Sequence, residues 1–548
     1  MKKFTCSCLV CGSGLAGLRA AKDLAGEGTD TILITDSELC SGSSFYPLTA
    51  ALGSQMYDSE EDKEVFFDEV IETGATMADP ELVRELIDET PAGVEDLPEI
   101  GMHPERQYSD RPACFAKRER ILLSWGNWEA CRKEAKDILS KEKTLRVMEH
   151  CDLLRVIVKN GEAAGALICD ENSEIVLIQA SAVILCLGGF CGLYRHSLNT
   201  DETTGTGHSI ALDAGARLVN MEFIQFIPGF LKPVYKLLFS ETTLRHACSV
   251  KDAEGRDALL ELLPENISFR DCLDDRAMHG PFTTEDRSFW FDAAVMKDAR
   301  EKKRGCGFEI AFDEEIAEDQ NGFIRMAREN YAEYGIDLSK DRIWLAPFAH
   351  CANGGVLIDK DGSTGVPGLY AAGEQAGGVH GADRHGGMAT AAAIVFGRKA
   401  AKAASQYVKN AVLYEIDENK VFCDLMEWTS AGKEESRFTS REVLDRIGEL
   451  LWYEGSCIRS GEKLEKVLAE IEEMKYGFRV SMEGGNIKKD FRAFHAIRTA
   501  EALIKAMLMR RESRGPHFRE DYPERNSEYD HKRICISEKE GDLELTPE

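Results

Sequence analysis

Three glycines near the start of the chain restrict its fold more than any other feature. They form the pattern Gly12-x-Gly14-x-x-Gly17, which directly follows an apolar run at residues 6–11 and precedes a periodic helical segment at residues 18–25. The first glycine permits a tight turn, the second lets the backbone approach a pyrophosphate, and the third lets the helix pack closely on the strand. The helix N-terminus then faces the phosphates. The pattern therefore predicts a βαβ unit that binds a dinucleotide.

The second strand of this unit, residues 31–35, brings further groups to the nucleotide. In dinucleotide-binding folds a carboxylate near the end of this strand bonds the ribose. Here Thr35 occupies the strand end and Asp36 follows it. Either the Asp36 carboxylate or the Thr35 hydroxyl reaches the ribose, or both residues simply cap a turn. The cofactor-binding residues predicted in this unit are Gly12, Ser13, Gly14, Leu15, Ala16, Gly17, Thr35 and Asp36.

Two further regions carry the continuous apolar runs that are typical of buried parallel strands. They comprise residues 182–187, 354–359 and 368–372. The first run ends in Gly188-Gly189 and the last is followed by Gly373-Glu374. A strand that ends in Gly-Glu places a carboxylate against a ribityl hydroxyl. We interpret all three regions as one nucleotide domain assembled from separated parts of the chain.

A stretch of small residues after this glutamate begins with Gly386-Gly387-Met388-Ala389 and is predicted to open a helix. The N-terminus of such a helix stabilises negative charge on a reduced isoalloxazine ring. The alternative is an ordinary strand–loop–helix connection. Together with the glycine pattern, these four residues predict that the dinucleotide is FAD.

The charge of the chain excludes several classes of function. Its 548 residues include 96 acidic and 67 basic ones, so the net charge is -29. A surface this negative repels phosphate backbones and anionic lipids, which argues against nucleic acid and membrane-surface roles. No apolar stretch approaches the length of a spanning helix, so membrane insertion is not expected. Met1-Lys2-Lys3 imitates a secretory signal, but the run that follows carries the glycine pattern, and we therefore expect a cytoplasmic protein.

Seventeen cysteines raise the question of disulfides or metal clusters. Cys6, Cys8 and Cys11 form the only close group, and they lie in the first predicted strand. Cys6 and Cys8 share one face of that strand and Cys11 lies on the other, so they cannot converge on one iron–sulfur cluster. The others are scattered singly, as Cys114 and Cys306 are. We expect free, reduced thiols and no metal site.

The length of the chain requires two or three domains. The predicted fold class is α/β: a doubly wound, glutathione-reductase-like FAD-binding domain, an inserted α+β capping domain and a C-terminal helical domain. The predicted boundaries are 1–229 and 345–415 for the FAD-binding domain, 230–344 for the cap, 416–515 for the helical domain and 516–548 for an extended tail.

The motifs, taken in order, resemble the flavoprotein subunits of fumarate reductase and succinate dehydrogenase, and most of all L-aspartate oxidase. They are residues 12–17, Gly42-Ser43-Ser44-Phe45-Tyr46, Thr204-Gly205-Thr206-Gly207, Glu222-Phe223-Ile224-Gln225-Phe226, residues 349–355, residues 368–387 and Arg511-Glu512-Ser513-Arg514-Gly515. The resemblance implies bound FAD, a mobile cap, and Ser43 and Ser44 at the cofactor. In the respiratory enzymes a histidine carries FAD covalently at the position of Ser43. Serine offers no imidazole, so the FAD is expected to be non-covalent.

The resemblance also implies a substrate site in which two arginines and two histidines hold a carboxylate. A guanidinium group suits this task because its fork donates two parallel hydrogen bonds. His350 matches the substrate histidine of the family and Arg384 its carboxylate-binding arginine. Taken without the resemblance, His350 would be a structural histidine and Arg384 a member of a surface ion pair.

Other positions of the family site differ in this chain. The His-Pro-Thr of the family reads Ile227-Pro228-Gly229, and our alignment places Trp290 at the proton-delivering arginine, with Arg287 near enough to substitute for it. Glu241 and Arg245 resemble the proton relay of the family, or else bridge one helical turn. We hypothesise that the substrate keeps one carboxylate or carbonyl group for Arg384 and His350 and is otherwise uncharged. Fumarate and succinate then become poor candidates.

Three functions remain open at this point. The first is a hydride transfer between the flavin and a C–C or C–N bond of a small molecule. The second is an amino acid oxidase similar to L-aspartate oxidase. The third, of another class, is a non-catalytic FAD protein that transfers electrons within a complex. Since no second glycine-rich dinucleotide unit is present, we expect a separate electron donor or acceptor.

Overall fold

A computed structural model describes residues 1–46, 52–107, 112–302, 307–430, 436–481 and 487–548. Its strands are β1 Lys2–Cys11, β2 Thr31–Ile34, β3 Leu52–Met56, β4 Glu105–Gln107, β5 Ile121–Trp125, β6 Leu145–Met148, β7 Asp152–Lys159, β8 Glu162–Cys169, β9 Ile175–Leu185, β10 Leu218–Val219, β11 Ile224–Lys232, β12 Ala247–Lys251, β13 Phe308–Phe312, β14 Ile343–Ala352, β15 Gly355–Leu357, β16 Leu369–Ala371, β17 Ala376–Gly377, β18 Ile534–Lys539 and β19 Asp542–Pro547.

The helices lie between and after these strands. They are α1 Leu15–Gly26, α2 Glu60–Thr73, α3 Pro80–Glu95, α4 Trp128–Leu139, α5 Thr206–Asp213, α6 Ala258–Leu262, α7 Phe269–Arg276, α8 Phe289–Lys302, α9 Gly322–Glu333, α10 Met388–Val408, α11 Glu418–Ser430, α12 Ser440–Glu454, α13 Gly461–Gly477 and α14 Ile487–Met509. None of them, within the described ranges, is long and apolar enough to cross a lipid bilayer.

The largest sheet brings the separated nucleotide-binding regions together, as predicted. Its strand order is β6-β2-β1-β9-β8-β7, and β16 pairs with β9. Cys11 and Ala371 are both register partners of Leu185. The carboxyl ends of β1, β9 and β16 are therefore neighbours, and ligands of open α/β sheets bind at such ends. Residues 354–359, which we interpreted as a buried strand of the nucleotide domain, contain β15, which lies in another sheet and pairs with β10 and β17.

The inserted segment is α+β, as expected, and is tied to the FAD-binding half by two long strands. A four-stranded antiparallel sheet has the order β11-β14-β13-β12. β11 and β14 pair from Ile224 and Ala352 at one end to Lys232 and Trp344 at the other. The predicted boundaries at 229/230 and 344/345 therefore fall inside continuous, paired strands.

The C-terminal region contains the predicted helices and one element that we did not predict. Residues 462–474 and 491–509 lie within α13 and α14. The prediction of an extended tail is wrong for residues 534–547, because β18 and β19 form a hairpin whose first strand pairs with β10. Ile534 and Ile536 are buried there. Cys535 between them is buried as well, and this run of three apolar residues is too short to stand out among the polar residues of the C-terminal segment.

Four charged side chains without solvent exposure join the C-terminal segment to the FAD-binding half. Glu222 Oε1 accepts a hydrogen bond from Arg510 Nε at 2.5 Å, and Glu512 Oε1 accepts one from Arg510 and one from Arg514 at 2.8 Å each. We call these four residues the C-terminal ion-pair cluster. Buried charges are tolerated only when they are paired and hydrogen-bonded. The cluster therefore fixes the end of α14 against the residues that lead into β11.

All sixteen cysteines in the described ranges are free thiols. Cys306 lies outside the described residues. Cys6, Cys8 and Cys11 are buried in β1, as the apolar run predicted.

Removing one charge of the C-terminal ion-pair cluster should destabilise the whole protein. Glu512→Gln leaves Arg510 and Arg514 buried with one carboxylate fewer, and breaking a buried pair in this way costs about 3–5 kcal/mol. Chemical denaturation of the variant measures this loss. The matched control, Glu462→Gln, disrupts only an exposed pair with Lys466 and should leave the free energy of unfolding unchanged. Equal stability of the two variants would contradict the role given to the cluster.

Candidate active site

The glycine-rich turn has the geometry that a pyrophosphate requires. Gly12 has a φ of +108°, and a side-chain carbon at this residue would lie 2.2 Å from the carbonyl oxygen of Cys186. α1 begins at Leu15 with Gly14 as its N-cap, and its first turn contains no acidic residue. The turn thus presents backbone and a helix N-terminus, and no side chain of α1 opposes an anion there.

Some side chains around this turn are hydrogen-bonded within the protein, and one hydroxyl is not. The Ser13 hydroxyl donates to Thr35 Oγ1 at 2.9 Å, and Ser44 Oγ accepts from the backbone N–H of Leu15 at 3.2 Å. The Ser43 hydroxyl is buried without a partner among the described residues. Asp36 Oδ2 lies 3.9 Å from Arg492 Nη2. Burial raises the pKa of the Asp36 carboxyl, and the nearby charge of Asp152 raises it further.

The strand ends and the start of α10 line an open cradle beside this turn. Its lining residues keep part of their surface accessible, although their neighbours are largely buried. These residues are Gly12, Gly14, Gly188, Glu374, Gly386, Gly387 and Ala389. A side-chain carbon on Gly189 would lie 2.4 Å from Glu374 Oε1, which accepts from the backbone N–H of Ala352 at 2.9 Å. Burial raises the pKa of Glu374. Ala16 packs from the other side, since a side-chain carbon on Gly373 would lie 2.9 Å from its Cβ.

α10 begins at the far side of this cradle. Its N-cap Gly387 has a φ of +81°, and a side-chain carbon there would lie 2.7 Å from the backbone nitrogen of Gln55 in β3. Met388, the first helical residue, is buried. No acidic residue lies in the first turn of α10, so its N-terminus also favours a negative charge.

The two residues predicted to hold the substrate are brought together. His350 lies in β14, and Arg384 lies in the loop before α10. Burial and the nearby Arg384 lower the pKa of His350 to about 3, and the same two causes lower that of His380 to about 3. Both imidazoles are therefore neutral near pH 7 and each offers one N–H donor. Arg384 Nε is buried without a hydrogen-bond partner among the described residues.

Asp383 joins the loop of Arg384 to the cap and to the C-terminal segment. Its carboxylate accepts from the Thr283 hydroxyl at 3.0 Å and from Gln225 Nε2 at 3.5 Å. A side-chain carbon on Gly515 would lie 3.0 Å from Asp383 Oδ2. Burial raises the pKa of Asp383 to about 7. No sequence pattern assigned a role to this residue, although it is adjacent to Arg384.

Glu241, one of the two residues that the resemblance suggested as a proton relay, lies against the loop at Gly280. A side-chain carbon on Gly280 would lie 3.6 Å from Ile227 Cγ2, 3.7 Å from Glu241 Oε2 and 3.9 Å from Cys114 Sγ. These four residues form what we call the cap wall. Gly386 N donates to the carbonyl of Cys114 at 3.0 Å, so the cap wall adjoins the start of α10.

Two other predicted catalytic residues lie at the surface. Arg245 is exposed and donates to Met278 Sδ at 3.3 Å. Arg287 is half exposed and pairs with Asp275 at 2.7 Å, so an acidic residue of α7 holds it away from the cap wall. Trp290 packs on Phe289 in α8, with ring centroids 5.1 Å apart. The residue that reaches Glu241 is Gly280. It precedes both Arg287 and Trp290, the positions at which our alignment sought the proton-delivering residue.

The sequence patterns did not reveal the thiol of Cys114 in the cap wall. They also did not single out His380, the second histidine near Arg384. Cys114 is an isolated cysteine without a motif, and only its spatial neighbours single it out. His380 lies in the segment that carries Arg384, so the resemblance could have indicated it.

One group of carboxylates approaches the geometry of a metal site. The oxygen atoms of Asp252, Glu254 and Asp298 lie within 4.8 Å of one another. Lys302 Nζ contacts all three, at 2.9 Å from Asp252. The ammonium of Lys302 and the guanidinium of Arg256, 2.7 Å from Asp252, thus already offset part of their charge.

Comparisons with known proteins identify the family to which these motifs belong. The family model described as "FAD binding domain" matches residues 7–390, and that described as "Fumarate reductase flavoprotein C-term" matches residues 444–548. The chain belongs to the fumarate reductase flavoprotein family. It is an FAD-dependent oxidoreductase, as predicted.

Individual relatives span nearly the whole chain. It is 30% identical to one of the subunits of the fumarate reductase (CoM/CoB) from Methanothermobacter marburgensis, over 96% of each chain. It is 26% identical to L-aspartate oxidase from Yersinia pestis, over 94% of this chain and 96% of the relative. The structure of Mycobacterium smegmatis Sdh1 in complex with UQ1 is 24% identical, has a TM-score of 0.82 and covers 94% of that chain and 100% of this one. The last likeness shows the fold.

The cradle fits the FAD that the family binds. The turn at Gly12 admits no side chain, the N-termini of α1 and α10 carry no acidic first turn, and the glycines of the cradle leave backbone accessible. These are the features that a diphosphate and a flat, redox-active ring require.

Filling the glycine turn should remove the cofactor. In Gly12→Ala the added carbon meets Cys186 O, so the turn must shift and the purified protein should lose most of its visible flavin absorbance. Gly28→Ala is a matched control because Gly28 also has a positive φ, +74°, but has no atom within 4 Å of the added carbon. Circular dichroism checks that both variants fold. Full flavin content in Gly12→Ala would contradict the proposed geometry.

The carboxyl of Asp383 should make stability depend on pH. Its folded-state pKa of about 7 lies above the ordinary value of about 3.9, so between these values the folded state keeps a proton that the unfolded state has lost. The free energy of unfolding should therefore fall as pH rises through this window, by up to about 1.4 kcal/mol per pH unit. Asp383→Asn should remove that slope, whereas Asp445→Asn at an exposed site should not. An unchanged slope in Asp383→Asn would contradict the assignment.

Proposed function

We propose that this chain transfers a hydride between FAD and a C–C bond of a small carboxylate or carbonyl compound whose remainder is uncharged. The carrying observation is the buried guanidinium of Arg384, whose Nε has no described partner, beside neutral His350 and His380. A buried, incompletely bonded guanidinium is costly unless an anion or a carbonyl oxygen joins it. FAD held in the cradle would accept or supply the hydride with its two electrons.

The residues of the chain orient the substrate. Arg384 offers a fork of N–H donors to a carboxylate, and each neutral histidine adds one donor without adding a charge. The part of the substrate away from its carboxylate would contact the aliphatic side chain of Ile227 and the backbone of Gly280 in the cap wall. Our resemblance-based alignment puts Ile227 where the family has a histidine, so a second carboxylate would find no donor from that residue. This argues for a monocarboxylate and against fumarate and succinate.

The cofactor is proposed to be held without a covalent bond. The resemblance aligns Ser43 with the linking histidine, and the Ser43 hydroxyl is buried, while the neighbouring Ser44 accepts from Leu15 N at the start of α1. We infer that Asp36 bonds the ribose, because the Thr35 hydroxyl accepts from Ser13 at 2.9 Å and has a second hydroxyl partner, Ser41, at 3.4 Å. The free thiols are typical of a reducing compartment, which favours the cytoplasm. A separate electron donor or acceptor completes the cycle.

Anaerobic spectroscopy of the bound flavin tests this function. Photoreduced protein is mixed in turn with crotonate, cinnamate and fumarate, and oxidised protein is mixed with L-aspartate. We expect reoxidation by a monocarboxylate enoate to be faster than by fumarate. Fastest reoxidation by fumarate would overturn the proposed specificity, and bleaching by L-aspartate would establish an amino acid oxidase. If none of these compounds changes the flavin spectrum, the result favours a non-catalytic electron-transfer protein.

Arg384 should be required for turnover but not for FAD binding. Arg384→Gln removes a charge-assisted pair worth about 3 kcal/mol, which corresponds to a loss of more than about 100-fold in kcat/KM for the reactive enoate. Arg441→Gln, at an exposed position in α12, serves as the control and should retain wild-type kinetics. Both variants should keep the flavin spectrum. Wild-type kcat/KM in Arg384→Gln would contradict the assignment.

A further inference from the structure

A turn that carries Cys114 connects the start of α10 with the cap wall. Ala116 N donates to Ala113 O at 2.9 Å and closes the turn. The carbonyl of Cys114 accepts from Gly386 N at 3.0 Å, directly before the N-cap of α10. The backbone of Cys114 is thus bonded to the loop that leads into the flavin-binding helix.

The side chain of Cys114 points to the cap. Its sulfur accepts from the backbone N–H of Gly280 at 3.4 Å, and the thiol donates to Glu241 Oε1 at 3.9 Å. A side-chain carbon built on Gly280 lies within 4 Å of Ile227, Glu241 and Cys114 together. The thiol and the carboxylate therefore stand side by side at the wall that faces the substrate.

The backbone beside Cys114 is held in an unusual conformation. Phe115 has a φ of +64°, which a bulky side chain rarely adopts. Its ring stacks on His279, with centroids 5.0 Å apart and planes at 21°. Strain of this kind persists only where surrounding contacts impose it, and it concentrates at functional sites. Here it fixes the direction in which Cys114 leaves the turn.

We propose that Cys114 is the proton donor of the reaction and that Glu241 returns the proton to it. This inference rests on the proposed function, which leaves the source of the proton open. Arg245 and Arg287, the arginines that the sequence suggested, are engaged at the surface. Cys114 and Glu241 are the proton-carrying side chains that the structure places in the cap wall.

The chemistry balances when it is written for reduction of an enoate. The C=C π bond breaks, one carbon receives the hydride with its two electrons from the reduced cofactor, and the other carbon receives the thiol proton of Cys114. The substrate thereby gains two C–H bonds, and a thiolate remains. The carboxylate of Glu241 takes up a proton from solvent and passes it to this thiolate, which restores the thiol and the carboxylate. A separate electron donor reduces the cofactor again.

The surroundings of Cys114 fit a thiol that gives up its proton transiently. The N–H of Gly280 and the nearby N-terminus of α10 favour the thiolate. The carboxylate of Glu241 opposes it and so favours return of the proton. Among the described titratable groups on the packed elements, His279 stacks on Phe115 and bonds Asp286 at 2.9 Å, and Tyr331 donates its hydroxyl to Leu238 O at 3.2 Å.

Alkylation of the holoenzyme by iodoacetamide tests the pair without any substrate. If Glu241 adjoins the thiol, Glu241→Gln removes a neighbouring negative charge and should accelerate alkylation of Cys114 about tenfold near pH 7, as followed by mass spectrometry. The exposed Cys248 in the same samples is the internal control and should react at an unchanged rate. An unchanged rate at Cys114 would overturn the pair.

Turnover of the most reactive enoate, crotonate or cinnamate, then tests the catalytic role. Cys114→Ala should lower kcat about 100-fold or more, with flavin content and KM nearly unchanged, because general acids contribute factors of this size. Cys248→Ala is the matched control and should behave as wild type. The solvent deuterium isotope effect on kcat should increase in Glu241→Gln, since reprotonation of the thiolate then limits the rate.

The two proposals fail in different ways. If wild-type protein turns over neither enoate, the proposed function fails, while the alkylation rates still decide whether Cys114 and Glu241 interact. If wild-type protein turns over an enoate and Cys114→Ala does so equally fast, Cys114 is not the proton donor, and the proposed function stands.

Discussion

The buried ion pairs between Glu222, Arg510, Glu512 and Arg514 are the constraint on which the substrate side of the site depends. Arg514 also donates to the carbonyl of Ala75 at 2.7 Å. The preceding residue, Gly74, accepts from Ala382 N at 3.0 Å, in the loop that carries Arg384. Charges distant in sequence therefore hold that loop in place. Since breaking one buried pair leaves another charge uncompensated, the arrangement is cooperative.

Burial also sets the electrostatics of the site. The same desolvation that keeps His350 and His380 neutral raises the pKa of Asp383 to about 7. Near Arg384, neutral forms are thus favoured in both acidic and basic neighbours. The guanidinium remains the dominant charge, and a substrate anion that enters meets little competition from protein carboxylates.

The sequence predicted the cofactor side of the site better than the substrate side. The glycines at Gly12 and Gly387 are local signals, because a steric requirement of the backbone allows no other residue there. The placement of Glu374 followed from strand order in a parallel sheet. By contrast, the neighbours of Glu241 come from the turn at Cys114 and from Gly280, and no local pattern reveals such a contact. Arg287 looked suitable in sequence, yet its acidic neighbours in α7 hold it at the surface.

The proposed substrate site is asymmetric in charge, and under the proposed function this asymmetry would set the orientation of a bound substrate. Arg384 supplies positive charge on the side of the loop before α10, whereas the cap wall combines Ile227 and Gly280 with the thiol of Cys114 and the carboxylate of Glu241 and offers no cation. Under the proposed function, a molecule with one carboxylate would therefore place that group at Arg384 and its uncharged end at the cap wall. Under the proposed function, a dicarboxylate would set its second charge against Ile227, whose side chain offers no donor to offset the cost of desolvation.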